Sequence, residues 1–253
     1  MSSVDKLTLI SGIDVPIPEL RLSIHQPSIR EIAFIGEKDF YAAAEVLIMN
    51  SEKFINNSGD SLEEKDNVAL SEMSEFQLFM MMANSNSLIK VKVIMLFSLL
   101  FPKFIIEFEE RFILLVNSGN KETTMLDDDN FSVLQEVAKV ILCLNSGALS
   151  EEFNPQGERA KEIAEKIKRG REKAARLKGE TKKESSFLSK YISSLGIGTN
   201  SLNILNVLDL TLYQLFDQME RFGLNESYKI SIKAKLAGSK EVEDVDWLKD
   251  IEK

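Results

Sequence analysis

An apolar run from Val93 to Phe101 (VIMLFSLLF) sets the terms on which this chain folds. It is framed by Lys90 and Lys92 before it and by Pro102 and Lys103 after it. A bilayer-spanning helix needs roughly 20 apolar residues, about twice this length. A segment so apolar and too short for lipid belongs inside a folded body, and other apolar faces must enclose it. The run therefore reads as a buried core helix that Pro102 ends. With 253 residues, 44% of them hydrophobic, the chain is long enough to build that enclosure as one large domain or two small ones.

The pattern before the run mixes strand and helix. Gly12, Pro16 and Pro18 make the first twenty residues read as an extended arm or edge strand. Leu20, Leu22 and Ile24 alternate with Arg21 and Ser23, the two-residue period of a half-buried strand. Ser28 and Glu31 have the spacing of a capping box, which predicts a short helix up to Gly36, followed by a second over Asp39 to Asn50. Asn56 to Asp66 (NNSGDSLEEKD) reads as a loop, and Met73, Phe76, Phe79, Met80 and Ala83 then recur at helical spacing. Five of the nine methionines lie between Met73 and Met95, read here as adaptable core filling.

After the run, KFIIEFEE (Lys103 to Glu110) and FILLV (Phe112 to Val116) have the aromatic and β-branched content of a strand pair. Asp127 to Asp129 precede an expected helix at Phe131, where acids favour the helix dipole. Val133, Val137, Val140, Ile141 and Leu144 give that helix one apolar stripe. Further on, Phe187 to Leu195 is a short amphipathic segment that leads into a GIGTN turn. Leu202 to Phe222 reads as one helix ended at Gly223 or Asn225, and another runs through Tyr228, Ile232 and Leu236.

Between these parts the charge changes sign. From Glu158 to Lys183 eleven basic residues face five acidic ones, so that segment carries +6, and a total of −9 leaves −15 for the rest of the chain. Glu162 with Lys166 and Glu165 with Arg169 support a solvated helix. The expected organisation is α+β and predominantly helical. An N-terminal α+β domain with a small sheet or hairpin spans 1–150, a basic connecting helix spans 151–184, and a C-terminal helical region with an acidic tail containing Trp247 spans 185–253.

The chemistry-bearing residues are few. One cysteine, Cys143, and one histidine, His25, exclude an intramolecular disulfide, a cysteine zinc site and most histidine-based metal centres. Cys143 reads as packing on a helix face, and His25 as a turn residue satisfied by backbone. Gly196 to Asn200 lacks the spacing and the lysine of a phosphate-binding loop. No cofactor, metal or catalytic constellation is expected. The N-terminus has an early acid and no long apolar run, so it reads as neither a signal nor a transit peptide, and no membrane is expected as a partner. The basic segment interleaves acids with its bases and has no aromatic residue for stacking, which weighs against nucleic acid.

Two stretches, Leu20 to Ala43 (LRLSIHQPSIREIAFIGEKDFYAA) and Leu212 to Ile251 (LYQLFDQMERFGLNESYKISIKAKLAGSKEVEDVDWLKDI), resemble bacteriophage tail assembly chaperones encoded beside the tape-measure gene. Phe153 to Glu180 is similar to the connecting helix of the same kind of protein. Together they cover well under half the chain, and none is an active-site motif. The resemblance implies a non-enzymatic protein in the host cytoplasm that binds the tape-measure protein and helps the tail-tube protein assemble around it. On that reading Leu212, Leu215, Phe216, Met219 and Trp247 are the expected partner surface, although a lone Trp in a polar tail reads first as docking on its own chain and only then as an anchor for a partner. The charge asymmetry separately suggests self-association of the basic helix with an acidic surface. A structural virion or tail protein, or an adaptor, is the alternative, followed by a nucleic-acid-binding protein using the basic helix.

Overall fold

A computed structural model describes residues 4–58, 64–144, 186–239 and 245–248. The fold is predominantly helical with two small antiparallel sheets. Its centre is α7 (Ser87–Leu100), the seventh α-helix among the described residues, which carries the apolar run as far as Leu100.

The opening arm, expected to be extended or an edge strand, begins as a helix and becomes a strand at Val15. In α1 (Lys6–Ser11) the Asp5 carboxylate accepts the Thr8 amide at 3.1 Å, and Gly12 ends the helix at φ 73°. Gly12 thus acts as a left-handed helix stop, a conformation glycine adopts without a Cβ penalty. Strand β1 (Val15–Ile17) pairs with β2 (Leu22–Ile24) in the register Val15 to Ile24, and their burial alternates as the sequence pattern predicts. The capping box forms as predicted. Ser28 accepts the Glu31 amide, the Glu31 carboxylate accepts the Ser28 amide at 2.8 Å, and α2 (Ile29–Ile35) follows. Gly36 separates it from α3 (Glu37–Ile48).

The segment read as a loop contains the ends of two helices, α4 (Ser51–Ser58) and α5 (Glu64–Glu72). Both are too polar to show a wide apolar stripe, so hydrophobic periodicity does not reveal them. The methionine-rich segment is α6 (Glu75–Ser85), opened by a Ser74 and Gln77 capping box. In α7, Val93, Leu96, Phe97 and Leu100 face inward at the i, i+3, i+4, i+7 spacing. The strand pair is present as β3 (Phe104–Phe108) and β4 (Ile113–Asn117), and a third strand not anticipated, β5 (Thr123–Leu126), completes a sheet in the order β3-β4-β5. The inner face of that sheet carries Ile106 and Leu115, paired in register, and Ile113 opposite Leu126.

Helix α8 (Phe131–Ile141) closes the core over α6. Its buried residues are Phe131, Leu134, Gln135, Ala138 and Ile141, so the expected stripe is correct only at Ile141. Val133, Val137, Val140 and Leu144 form a half-buried row beside it. The interior is dominated by rings. Phe79 lies 4.8 Å from Phe131 and 5.8 Å from Phe97, and Phe97 meets Phe108 edge-on at 5.6 Å.

The C-terminal elements are α9 (Phe187–Gly198) and α10 (Leu212–Leu236), joined through a short 3-10 turn at Val207–Asp209. The single helix expected from Leu202 starts ten residues later than predicted, at Leu212. Asn203 and Asn206 spend their side chains on local amides instead. Asn203 Oδ1 accepts the Leu205 amide at 2.9 Å and Asn206 Oδ1 accepts the Asn203 amide at 2.7 Å. Such local bonds compete with a helical ladder. Thr211 with Gln214 then supplies a capping box. Neither Gly223 nor Asn225 stops the helix, which absorbs the second predicted helix. The basic connecting helix lies outside the described residues.

Candidate partner-binding surface

Two sets of contacts fix the C-terminal helices to the rest of the fold. Glu37, in the first turn of α3, accepts the amides of Phe187 at 2.8 Å and Leu188 at 3.0 Å, and its other oxygen accepts the Ser186 hydroxyl. A carboxylate from one helix thereby caps the N-terminus of α9, where the helix dipole favours it. The two capping boxes also meet. Ile29 N–H donates to Leu210 C=O at 2.9 Å and Leu212 N–H to Pro27 C=O at 3.2 Å, while Gln214 Nε2 donates to Ile10 C=O at 2.7 Å. The Phe216 ring lies 5.6 Å from Phe187 and meets Tyr191 edge-on at 5.5 Å.

This geometry sorts the five residues expected at a partner surface. Leu212, Leu215 and Phe216 are buried and fill the chain's own core, and Met219 is half-buried against it. Only Trp247 presents a substantial apolar surface, at 41% exposure. It sits over α10, its ring 6.4 Å from Tyr228, with Arg221 Nη1 donating to its carbonyl at 3.2 Å. Trp247 therefore lies against its own helix and remains partly exposed. Leu248 beside it and Ile230 and Leu236 on the distal half of α10 are exposed as well.

Periodicity did not mark three further exposed apolar residues. Phe34 on α2 is 90% exposed, and Ile197, at the end of α9, is 88% exposed. Leu205, also exposed, lies on the side of the 3-10 turn where its carbonyl accepts from Arg30, one helical turn before Phe34. Arg30 also pairs with Asp209 at 2.8 Å, so a salt bridge lies beside Leu205. The sequence signal was the apolar residue Phe34 on the polar side of a short helix.

The residues considered for chemistry have structural employment. His25 is held by side chains, where backbone was expected. Its Nδ1 lies 2.9 Å from Asp14 Oδ1 and its Nε2 3.4 Å from Glu31 Oε2. The Ser28 hydroxyl is engaged by Glu31 at 2.7 Å, so it is the N-cap partner of that carboxylate. Burial alone would raise the Glu31 carboxyl, but the Ser28 hydroxyl and amide, with His25, outweigh it and hold it below its ordinary value.

Cys143 is buried, just past the end of α8 and off its face, in a left-handed conformation at φ 53°. Leu144 N–H reaches back to Lys139 C=O at 2.9 Å, as in a helix-terminating turn. Burial, then the charge on Glu37, pushes the nearby Tyr41 hydroxyl well up, and burial also raises Tyr191 and Tyr213, so the seam around α9 and α10 stays uncharged at its phenols. Asp127 to Asp129 do not cap α8 through their side chains. Asp128 instead accepts from the Ser74 hydroxyl and from Gln77 Nε2 at 3.3 Å, tying the loop to α6. Gly196 and Gly198 belong to the last turn of α9, not to a loop before a helix, and Gly198 is where the Phe222 ring packs against the helix.

Among the described residues, no helix is long and apolar enough to cross a membrane, and no three or more metal-capable side chains are grouped. No curated protein and no solved structure matches the chain. A family model described as the YomV second domain matches residues 180–252, which takes in α9, α10 and Trp247. Over less than a third of its length, then, the chain is similar to the YomV second domain.

Proposed function

We propose that this protein is a non-enzymatic phage tail assembly chaperone that holds the tape-measure protein and assists tail-tube assembly in the host cytoplasm. One observation carries the reading. Trp247 lies near Tyr228 on α10, its backbone carbonyl accepts from Arg221, and it is 41% exposed beside the exposed Leu248. A partly exposed aromatic residue of this kind suits a contact with apolar client surface. The sequence resemblance supplies the identity of the client.

Co-expression with the adjacent tape-measure product tests it. The client should co-purify with this chain, and Trp247→Ala should reduce the yield of complex while leaving the fold intact. An equal yield with Trp247→Ala rejects the assigned surface, and no co-purification rejects the client. The exposed Phe34 and Leu205, both beside Arg30, favour the second reading, a structural tail component, because a permanent subunit needs a second contact face. Stoichiometric retention in finished particles would support that reading over a chaperone, which leaves.

A further inference from the structure

A groove of about 350 Å³ runs between the N-terminal elements and α8. Its floor is apolar, from Val15 and Ile17 on β1 and Val133 and Val137 on α8. Its other marked feature is charge: Asp5, Glu19 and Glu136 line it, and among the described residues no lysine or arginine does. Asp5 is committed to Thr8 and Glu136 to Lys139 at 2.6 Å, while Glu19 makes no ion pair among the described residues.

Beyond the lining, Val140 carries the half-buried row of Val133 and Val137 one turn further along α8. This is the stripe that the sequence showed; it packs against the edge of the core and stays half-exposed. From Val133 to Val140 the row rises about 10 Å, two turns, which suits two turns of a partner helix laid alongside it. An added strand is disfavoured, since Pro16 in the middle of β1 has no N–H to donate. The volume is near the low end of the roughly 300–1,000 Å³ range of ligand pockets, enough for a few side chains and too small for a folded domain.

We infer that this groove receives an amphipathic helix from a partner protein whose apolar stripe is flanked by Lys or Arg. Its aliphatic side chains would fill the floor in the helix-in-groove manner, and its cations would meet Glu19 and the free side of Asp5 and Glu136. The assignment goes beyond the chaperone reading and does not depend on it, because it fixes the chemistry of the occupant without its identity.

A labelled synthetic Leu/Lys amphipathic helix, followed by fluorescence polarisation with the full chain, is the probe, with a Leu/Glu helix as its counterpart. The chain should bind the Leu/Lys helix, less well at high salt. Glu19→Lys with Glu136→Lys should weaken binding about tenfold, the sum of two surface pair interactions. Val137→Asp should do the same through the floor, with unchanged circular dichroism certifying the fold.

Equal affinity for the Leu/Glu helix, indifference to the charge reversal, or no binding would overturn the inference. So would binding that appears only after Lys166, Lys168 and Arg169 are made acidic, which would assign the groove to the chain's own basic segment. Self-association abolished by the same charge reversal would assign it to a second copy. No tape-measure protein is present in this assay, so its outcome is independent of the co-expression result.

Discussion

Gly198→Ala separates close packing from intrinsic helix preference. Gly198 ends α9 with an ordinary negative-φ backbone, so alanine there is unstrained and by propensity alone would stabilise by about 0.4–1 kcal/mol. A Cβ at this position, however, meets Phe222 Cζ and lies 2.7 Å from Cε2 and 3.2 Å from Cε1. Ordinary carbon contacts are about 3.5–4.0 Å, so the ring must retreat by about 1 Å from its half-buried site. Overpacking of this kind costs about 1–3 kcal/mol, and a half-buried ring displaced by about 1 Å places it near the middle, about 2 kcal/mol. The net expectation is a loss of about 1 kcal/mol, or 2–4 °C in Tm for a chain of this size. Urea denaturation followed by circular dichroism reads it. Phe222→Leu in the Gly198→Ala background should recover part of the loss, a coupling of about 1 kcal/mol in a double-mutant cycle. A Gly198→Ala protein more stable than wild type, or strict additivity of the two changes, would refute the packing argument.

Glu37→Ala should cost about 1–2 kcal/mol through the lost cap on α9 and raise hydrogen exchange at the Phe187 and Leu188 amides while leaving α7 protected. Unchanged exchange at both amides would remove Glu37 as the anchor. Glu31 is held below its ordinary value of 4.5, so the folded state binds its proton less tightly than the unfolded state does. Its contribution is present above that ordinary value and is lost as pH falls through the lower folded one. Glu31→Gln should therefore flatten the acid limb of the stability curve below about pH 4.5, and identical acid limbs would contradict the assignment.

The sequence showed the core more readily than the surface, for physical reasons visible in single elements. The Val93 to Phe101 run, the Ser28 and Glu31 capping box and the β3–β4 pair each carry a strong local signal, and each is where the pattern put it. Helices α4 and α5 were missed because little apolar surface marks them. The late start of α10 depends on two asparagines choosing local hydrogen bonds, a competition that periodicity does not register. In α8 the valine row and the buried row are both helical in spacing, and only the position of β1 decides which is half-covered. Leu212, Leu215 and Phe216 look alike as an apolar face for a core or for a partner, and the pairing of α10 with α9 sends them inward. The Asp14 contact to His25 joins residues whose order in the chain gives no hint of it.

If the proposed function holds, this chain keeps an apolar client in solution through the partly exposed Trp247. The direct measurement is the soluble fraction of the tape-measure product expressed with wild-type chain, with Trp247→Ala and alone. The expected result is a soluble client with wild type, a marked fall with Trp247→Ala and aggregation without the chain. A client equally soluble in all three, or rescued equally by Trp247→Ala, would contradict it.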